Sequence, residues 1–301
     1  MTERAAVEAV GLGKRYGSKW ALRDCSLEIP SGSVTALVGP NGAGKTTLLQ
    51  LAVGLSRPSA GSVSVLGHSP LTDAQSLLPR VGFVAQEHPL YRGFTVSDTL
   101  KLGRKLNPSW DEGVALARIE HLGLPLGQKV GQLSGGQQAQ IALTLALAKR
   151  PEVLLLDEPV ASLDPLARRE FLQSVMEAVA ETGMTVVLSS HIVADLERVC
   201  DHLVILSQAR TQLVGPIDEI VASHRLLTGP RTDPASVERV HDVIRESHTE
   251  RQTTLLVRAN GHVYDSNWQL HEVDLEEIVL AYLGYGGPNG TGRASSREAV
   301  A

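Results

Sequence analysis

The feature that most constrains the fold is a glycine-rich loop between an apolar segment and a helical one. Ser33–Val38 is a short apolar run, typical of a strand buried on both faces, and Lys45–Val53 has helical spacing. The loop between them, Gly39–Thr46, matches G-x-x-x-x-G-K-[ST] at every fixed position. Glycines let backbone amides converge on phosphate oxygens, Lys45 adds a charge, and the Thr46 hydroxyl can ligate Mg²⁺. The loop predicts a phosphate cradle, and the plainer alternative is a glycine-rich turn that matches by chance.

Further apolar runs indicate that the loop belongs to an α/β sheet. Val153–Leu156, Met184–Ser189 and Leu203–Leu206 are short runs without alternation. Helical spacers such as Pro165–Glu181 separate them, which favours parallel strands with crossovers. Pro89–Lys149 has helical apolar spacing and no clear strand, so we expect a helical insertion there.

The pattern changes from about Pro216, where a smaller accessory subdomain is expected. The spacing predicts a strand at Leu226–Gly229, a helix at Pro234–Arg245 and a strand at Thr253–Val257. It also predicts an amphipathic helix at Leu275–Leu283, with Leu280 on its apolar side. The last residues are rich in Gly, Ser and Ala and indicate a disordered tail. The expected domains are 1–215, with the helical insertion at about 89–149, then 216–283 and the tail 284–301.

Charge and cysteine content exclude several classes of protein. The net charge is −5, from 28 Lys and Arg against 33 Asp and Glu, which argues against a strongly basic nucleic-acid binder. Cys25 and Cys200 lie far apart and form neither a disulfide framework nor a zinc cluster, which fits a reducing cytoplasm. No run reaches the roughly 18 apolar residues of a membrane span. Any membrane function is therefore expected to require another chain.

Two further segments carry candidate chemistry. Leu154–Pro159 ends an apolar strand in Asp157, placed to hold Mg²⁺, and Glu158, placed to orient and polarise a water molecule. Leu133–Gln137, the signature segment, reads Leu-Ser-Gly-Gly-Gln before a helical run and offers a helix N-terminus to an anion. Taken alone, the first could be a solvated strand end and the second an ordinary N-cap beside a glycine turn.

The order of these segments resembles the ATP-binding cassette (ABC) family. The resemblance spans about Val7 to Gly215, and its segments are Gly39–Thr46, Gln86, Leu133–Gln137, Leu154–Glu158, Ser162–Asp164 and His191. It implies a RecA-like P-loop core with an antiparallel β portion and an α-helical subdomain. It also implies ATP and Mg²⁺ as cofactors and ATP hydrolysis as the activity.

The resemblance assigns roles to single residues. Tyr16 stacks on adenine, Gln86 contacts Mg²⁺ and water, Asp164 crosses to a second subunit, and His191 contacts the γ-phosphate and helps organise water. Each residue also has a plainer alternative. Tyr16 could be a surface or core tyrosine and Gln86 ordinary polar surface. Asp164 could be an N-cap before Pro165, and His191 a capping or packing residue. The implied catalytic residues are Lys45, Gln86, Glu158 and His191, and the implied metal ligands are Thr46, Gln86 and Asp157. The implied nucleotide contacts are Tyr16, Gly39, Pro40, Asn41, Gly42, Ala43, Gly44, Lys45, Thr46, Thr47, Ser134, Gly135, Gly136, Gln137 and Asp164.

The chain departs from the family pattern at two places. Gln140 stands where the helix after the signature segment commonly carries Arg or Lys, and Val160-Ala161 replaces a small polar pair. Neither departure touches a residue needed for hydrolysis. They are expected to tune closure or partner contacts.

By resemblance, two ATP-binding subunits, identical or different, close around ATP and drive a separate membrane permease from the cytoplasmic face. The segment around Glu87–Gly93 would form part of the docking groove. Residues 216–283 resemble, more loosely, the extension of bacterial type-2 exporter ATPases, so export is expected and import is the alternative. A non-transport ABC ATPase acting on ribosomes or DNA is a further alternative, disfavoured by the single cassette and the lack of sustained heptads.

Overall fold

The computed structural model describes residues 5–190, 192–231, 237, 241–259 and 268–284. The chain divides into two compact units, one ending at Val214 and the other beginning at Gly215. The first unit carries the glycine-rich loop, the two carboxylates and the signature segment.

Two sheets form the first unit. In chain order its strands are β1 (Ala5–Tyr16), β2 (Lys19–Pro30), β3 (Val34–Val38), β4 (Ala60–Val65), β5 (Val81–Val84), β6 (Val153–Leu156), β7 (Thr185–Ser190), β8 (His202–Ser207) and β9 (Arg210–Pro216). The larger sheet has the order β5-β6-β7-β3-β8-β9, and its first five strands run parallel. Strands β3, β6, β7 and β8 are buried throughout, as expected where both faces of a parallel sheet are covered. Because β3 and β6 are parallel, the glycine-rich loop and Asp157-Glu158 leave the same edge of the sheet.

The smaller sheet is antiparallel, with the order β2-β1-β4. Its buried side chains, Leu12 and Leu22 among them, share one core with Leu37, Leu155 and Val187 of the parallel strands. This packing holds the end of β1, where Tyr16 lies, within the same unit as the glycine-rich loop.

The helices of the first unit are α1 (Lys45–Ala52), α2 (Ala74–Leu77), α3 (Val96–Leu106), α4 (Glu112–His121), α5 (Gly135–Leu147), α6 (Pro165–Thr182) and α7 (Val193–Leu196). Helices α3, α4 and α5 form the helical insertion expected between Pro89 and Lys149. They have a core of their own, to which they contribute Leu100, Ile119 and Ile141. Helix α6 connects β6 to β7, as a parallel crossover requires.

The second unit is a four-stranded antiparallel sheet with helices. Its elements are α8 (Ile217–Ser223), β10 (His224–Pro230), β11 (Asp242–His248), β12 (Gln252–Arg258), β13 (Gln269–His271) and α9 (Leu275–Tyr282), and the sheet order is β11-β12-β10-β13. The strands expected at Leu226–Gly229 and Thr253–Val257 and the helix expected at Leu275–Leu283 are present.

Two expectations for this unit are wrong. Asp242–Arg245 was expected at the end of a helix, but these residues pair with β12 in an antiparallel ladder that local spacing does not reveal. Leu280 was expected on the apolar side of α9, but it is 37% exposed, and the buried face consists of Leu275, Ile278, Val279 and Ala281. Residues after Gly284, which include most of the expected tail, lie outside the described residues.

Across the described ranges, none of the helices combines the length and the apolar character that crossing a bilayer requires.

Candidate functional site

The glycine-rich loop is shaped by positions that exclude side chains. Gly42 and Gly44 have φ of 82° and 108°, the left-handed region that favours glycine. A Cβ at Gly44 would lie 2.5 Å from the Ala21 carbonyl oxygen, and one at Gly39 would lie 2.3 Å from that of Leu206. The loop therefore packs tightly between β2 and β8 before α1 begins at Lys45.

Lys45 is buried and uses its ammonium group inside the loop. Its Nζ donates to the carbonyl oxygens of Gly39 at 2.7 Å and Pro40 at 3.3 Å. It also forms an ion pair with Glu158 Oε1 at 3.0 Å. An ammonium group has three N–H donors, so these contacts engage its full donor capacity. A phosphate that binds Lys45 has to replace at least one of them, and Glu158 is the charged partner.

Asp157 is joined to the loop and to β7 by hydroxyl groups. Its Oδ1 accepts from Thr46 Oγ1 at 3.1 Å and from Ser189 Oγ at 3.0 Å. Asp157 is 2% exposed, and burial raises the pKa of its carboxyl group, against the opposing effect of these two hydrogen bonds. The buried carboxylate and the Thr46 hydroxyl are hard oxygen donors 3.1 Å apart, a donor set that suits Mg²⁺.

Glu158 is held in a backbone conformation that side chains rarely adopt. Its φ is 43°, its side chain is buried, and its amide donates to Ser189 Oγ at 2.8 Å. Such strain costs about 1–3 kcal/mol and persists only where the surroundings fix it. Here the ion pair with Lys45 and the hydrogen bond to Ser189 fix it, so the carboxylate faces the phosphate loop.

One cavity of about 650 Å³ collects many of the residues singled out from the sequence. Those that line it are Tyr16, Asn41, Gly42, Gly44, Lys45, Thr46, Thr47, Gln86 and Glu158. Tyr16 is 51% exposed and has Lys14 Nζ 5.0 Å from its ring centroid. Gln86 follows β5 and is exposed. An aromatic ring, the phosphate loop and the Glu158 carboxylate thus line the same cavity.

The signature segment and Asp164 do not line that cavity. Ser134 is the N-cap of α5 in a reciprocal capping box: Ser134 Oγ accepts from the Gln137 amide, and Gln137 Oε1 accepts from the Ser134 amide. Asp164 caps α6 by accepting from the amides of Leu166 and Ala167, with Pro165 at the first helical position. Both residues are exposed, and both fill the capping roles that were their plainer alternatives.

His191 lies outside the described residues. Ser189, Lys19, Ala21 and Ala161 are not among the site residues predicted from the sequence. The last three line the cavity, and Lys19 pairs with Tyr16 across the β1–β2 hairpin. The available signal for Ser189 was a hydroxyl residue at the end of the apolar run Val186–Leu188.

Comparison with known proteins gives consistent matches. The family model described as "ABC transporter" matches residues 22–161. The sulfate/thiosulfate import ATP-binding protein of Yersinia pseudotuberculosis is 37% identical over 71% of this chain, which spans only 61% of that relative's length. Proteins of the same name from other bacteria match similarly. The Nod factor export ATP-binding protein I of Burkholderia lata is 34% identical, with 73% of each chain covered.

A solved dimeric structure of a post-hydrolysis state of an ATP-binding cassette, bound to ADP and Pi, superposes with a TM-score of 0.62. It is 26% identical and covers 70% of this chain and 98% of its own. These likenesses confirm the expected α/β P-loop fold with its helical subdomain. The chain therefore belongs to the ABC transporter family as an ATP-binding subunit.

Proposed function

We propose that this chain binds and hydrolyses ATP to drive an ABC transporter, with the ATPase in residues up to about 215 and an accessory role for 216–283. The observation that carries the proposal is the ion pair between Lys45 and Glu158 at the floor of the 650 Å³ cavity. Lys45, the cation proposed to bind phosphate, contacts a buried carboxylate there, and the exposed Tyr16 lines the same cavity.

The contact between Lys45 and Glu158 supports an order of steps in which ATP binding comes before hydrolysis. A terminal phosphate that binds Lys45 takes the place of the Glu158 carboxylate and frees it. Glu158 then accepts a proton from water as the water oxygen bonds to the γ-phosphorus. The bond to the β–γ bridging oxygen breaks, and ADP and phosphate leave. Gln86 and His191 are proposed to orient the water.

Mg²⁺ is proposed to bind at Thr46 and Asp157, with Gln86 as a further ligand. Asp157 Oδ1 and Thr46 Oγ1 are already 3.1 Å apart. A divalent cation would favour the charged form of Asp157, whose pKa burial raises. When bound, the ion neutralises phosphate charge.

A second copy or a related subunit is proposed to complete the site. The signature segment exposes the N-terminus of α5, where unpaired amides and the helix dipole favour an anion. Since that segment does not line its own cavity, it is free to approach the nucleotide of another chain. The dimeric cassette with ADP and Pi supports this arrangement.

The membrane subunit is proposed to dock in an apolar groove beside Gln86. The groove is about 510 Å³ and is lined by Leu55, Phe83, Leu90, Tyr91, Leu102, Leu106 and Leu145, among others. Leu55, Tyr91 and Leu106 are each at least 65% exposed, and large exposed apolar patches mark interaction sites. His88 in the same groove is buried, and its Nε2 lacks a hydrogen-bond partner among the described residues. Docking there places the chain at the inner face of the membrane.

The relatives favour import over the export expected from the sequence. Several of them are named as sulfate/thiosulfate import proteins. Export keeps one specific support, since the Nod factor export protein is matched over a larger share of its length than the import proteins are. Reconstitution with the membrane subunit in vesicles of known orientation decides the direction. Movement of substrate toward the side of the membrane that holds the ATP-binding subunit would show import and exclude export.

ATP hydrolysis is tested with Glu158→Gln, which keeps the side-chain volume and removes the base. Turnover is expected to fall by at least about 100-fold, the range of general base catalysis, while nucleotide affinity does not fall, because phosphate no longer displaces a carboxylate from Lys45. Glu170→Gln, an exposed carboxylate on α6, is the matched control and should turn over normally. Normal turnover by Glu158→Gln, or no hydrolysis by the wild type, would contradict the proposal.

A further inference from the structure

A second cavity of about 820 Å³ opens within the first unit, away from the phosphate loop. It lies among α4, α5, α6 and the β2–β3 turn, and it shares no lining residue with the cavity of about 650 Å³ beside the phosphate loop. Its charged lining includes Arg118, Arg150 and Glu177. Arg150 there is partnered by carboxylates, since it bonds Asp111 and Glu181.

Arg118 in the same cavity has a different set of partners. From α4 its Nη2 donates to Gln140 Oε1 at 3.3 Å, and its Nε donates to Thr144 Oγ1 at 3.4 Å. Both acceptors are neutral, lie on α5 and are at most 5% exposed. The Thr144 hydroxyl in turn donates to the Gln140 carbonyl oxygen at 2.8 Å. Arg118 is thus linked to the backbone of the helix that begins at the signature segment.

Helix α5 has a second fixed point at its N-terminus. A Cβ at Gly136 would lie 2.9 Å from Ala167 Cβ, so the first turn of α5 packs closely on the first turn of α6. Gln140 lies six positions after Ser134, which is about 9 Å along a helix. Rotation of α5 about the Gly136 contact would therefore require Arg118 to lose its partners. Burial lowers the pKa of Arg118, and Glu177 on α6 opposes that effect only in part.

We propose that Arg118 is a positioning residue: its guanidinium group ties α4 to α5 through Gln140 and Thr144 and so sets the orientation of Ser134–Gln137. Its consequence for turnover rests on the proposed function, because the signature segment must meet the nucleotide of a second chain. The positioning itself is a property of the single chain. Gln140, where the resemblance leads one to expect a cation, is the neutral half of this pair.

A charge swap tests the proposal. Arg118→Gln removes the guanidinium group from α4, and Gln140→Arg alone places two guanidinium groups together. The double variant Arg118→Gln/Gln140→Arg restores an Arg–Gln pair between the same helices. We expect amide exchange in residues 135–141 to rise at least fivefold in each single variant and to return to within twofold of the wild type in the double variant. Exchange in β3 and α1 should not change.

Activity gives the second readout. ATP turnover should fall at least about tenfold in the single variants and recover in the double variant, while nucleotide affinity stays within twofold. Arg150→Gln is the matched control, since its side chain lines the same cavity but bonds α6 and the N-cap of α4. It should alter neither exchange in α5 nor turnover.

Several results would overturn the proposal. One is unchanged amide exchange of α5 in Arg118→Gln. Another is a loss of exchange protection or of turnover that the double variant does not restore. A third is an effect of Arg150→Gln on α5 exchange equal to that of Arg118→Gln. If Arg118→Gln lowers the melting temperature of the whole unit, Arg118→Met keeps the apolar stem, and the same exchange criterion applies to it. A wild type without ATPase activity would refute the proposed function, while the exchange measurements would still decide the role of Arg118.

Discussion

The hydroxyl group of Ser189 joins the two acidic residues of the site. It donates to Asp157 Oδ1 and accepts from the Glu158 amide, and it is fully buried. Ser189→Ala leaves a buried amide and a buried carboxylate each without one partner, at a cost of about 1–3 kcal/mol. Because the strained conformation of Glu158 depends on that amide contact, we expect turnover to fall about tenfold, or ~1.4 kcal/mol in the barrier.

The control for this prediction is the neighbouring serine. Ser190 is also buried, but its Oγ accepts from the Ile192 amide and contacts neither acidic residue. Steady-state ATP hydrolysis by Ser189→Ala and Ser190→Ala separates the two roles. Equal turnover in both variants would show that Ser189 does not hold the acidic pair.

Single residues differ in how far the sequence reveals them. Lys45, Thr46, Asp157 and Glu158 could be predicted as site residues because each lies at a fixed position of a pattern that follows a buried strand. Ser189 was missed because a serine closing an apolar run has no distinctive neighbours, and its partners lie 31 and 32 positions away. Their contact depends on the parallel pairing of β6 with β7, which no local pattern encodes.

His224 links three elements of the second unit. Its Nδ1 donates to the Ile220 carbonyl oxygen of α8 at 2.6 Å, so its Nε2 accepts from Tyr282 Oη of α9 at 3.0 Å. His224 is fully buried, and burial lowers its pKa, whereas burial raises the pKa of Tyr282 to about 12. The folded unit therefore holds His224 neutral.

This predicts a pH dependence of stability. The unfolded chain binds a proton at about pH 6.5 and the folded one only at lower pH, so the contribution is present above about 6.5 and is lost as the pH falls below it. Thermal unfolding followed from pH 7.5 to 5.5 should show a decreasing melting temperature for this unit. His224→Phe should flatten that decrease. A wild-type melting temperature that does not decrease between pH 7.5 and 5.5 would show that the folded unit does not hold His224 neutral.

Helix α9 offers a matched pair of substitutions. Ile278 is fully buried and Leu280 is 37% exposed, although both are apolar residues of one helix. Ile278→Asp buries a charge and should lower the free energy of unfolding of the second unit by at least about 3 kcal/mol. Leu280→Asp should cost about 1 kcal/mol or less. Denaturant titration compares them, and equal costs would refute the assigned buried face.

Among the helices and strands, the sequence predicts the ones whose type is determined by the local spacing of apolar residues. The buried runs of the parallel sheet and the amphipathic helices were found. Asp242–Arg245 was not, because the residues around it have helical spacing while β11 gains its stability from a ladder with β12. That ladder has a register shift between Val243 and Arg245, which breaks the alternation typical of a strand.

At the level of the whole molecule, one chain is proposed to supply the phosphate loop and another the signature segment. Lys45 lines the cavity of about 650 Å³, whereas Ser134 caps a helix that does not line it. A defect in each should therefore be complemented when the two variants form a mixed dimer. From the sequence, this arrangement could be predicted only by resemblance. The reason is that the position of the signature segment relative to the phosphate loop depends on how α5 packs, which no local pattern encodes.

The substitution at Ser134 must preserve the N-cap of α5 and yet weaken binding of the nucleotide of the other chain. Ser134→Asp keeps a side-chain oxygen that caps α5 and adds a negative charge where a polyphosphate would bind. Thr95→Asp is its control, because Thr95 closes the same kind of capping box on α3. Thr95→Asp should leave ATP-dependent pairing unchanged.

The most direct test mixes Lys45→Ala with Ser134→Asp, each carrying Glu158→Gln to retain ATP, and measures crosslinked dimers that hold ATP. Neither variant alone should retain ATP in a dimer, because both of its sites are defective. The mixture should yield mixed dimers with about one ATP each, at the site built from the intact Lys45 of one chain and the intact Ser134 of the other. Mixed dimers that form and hold no ATP would contradict the account.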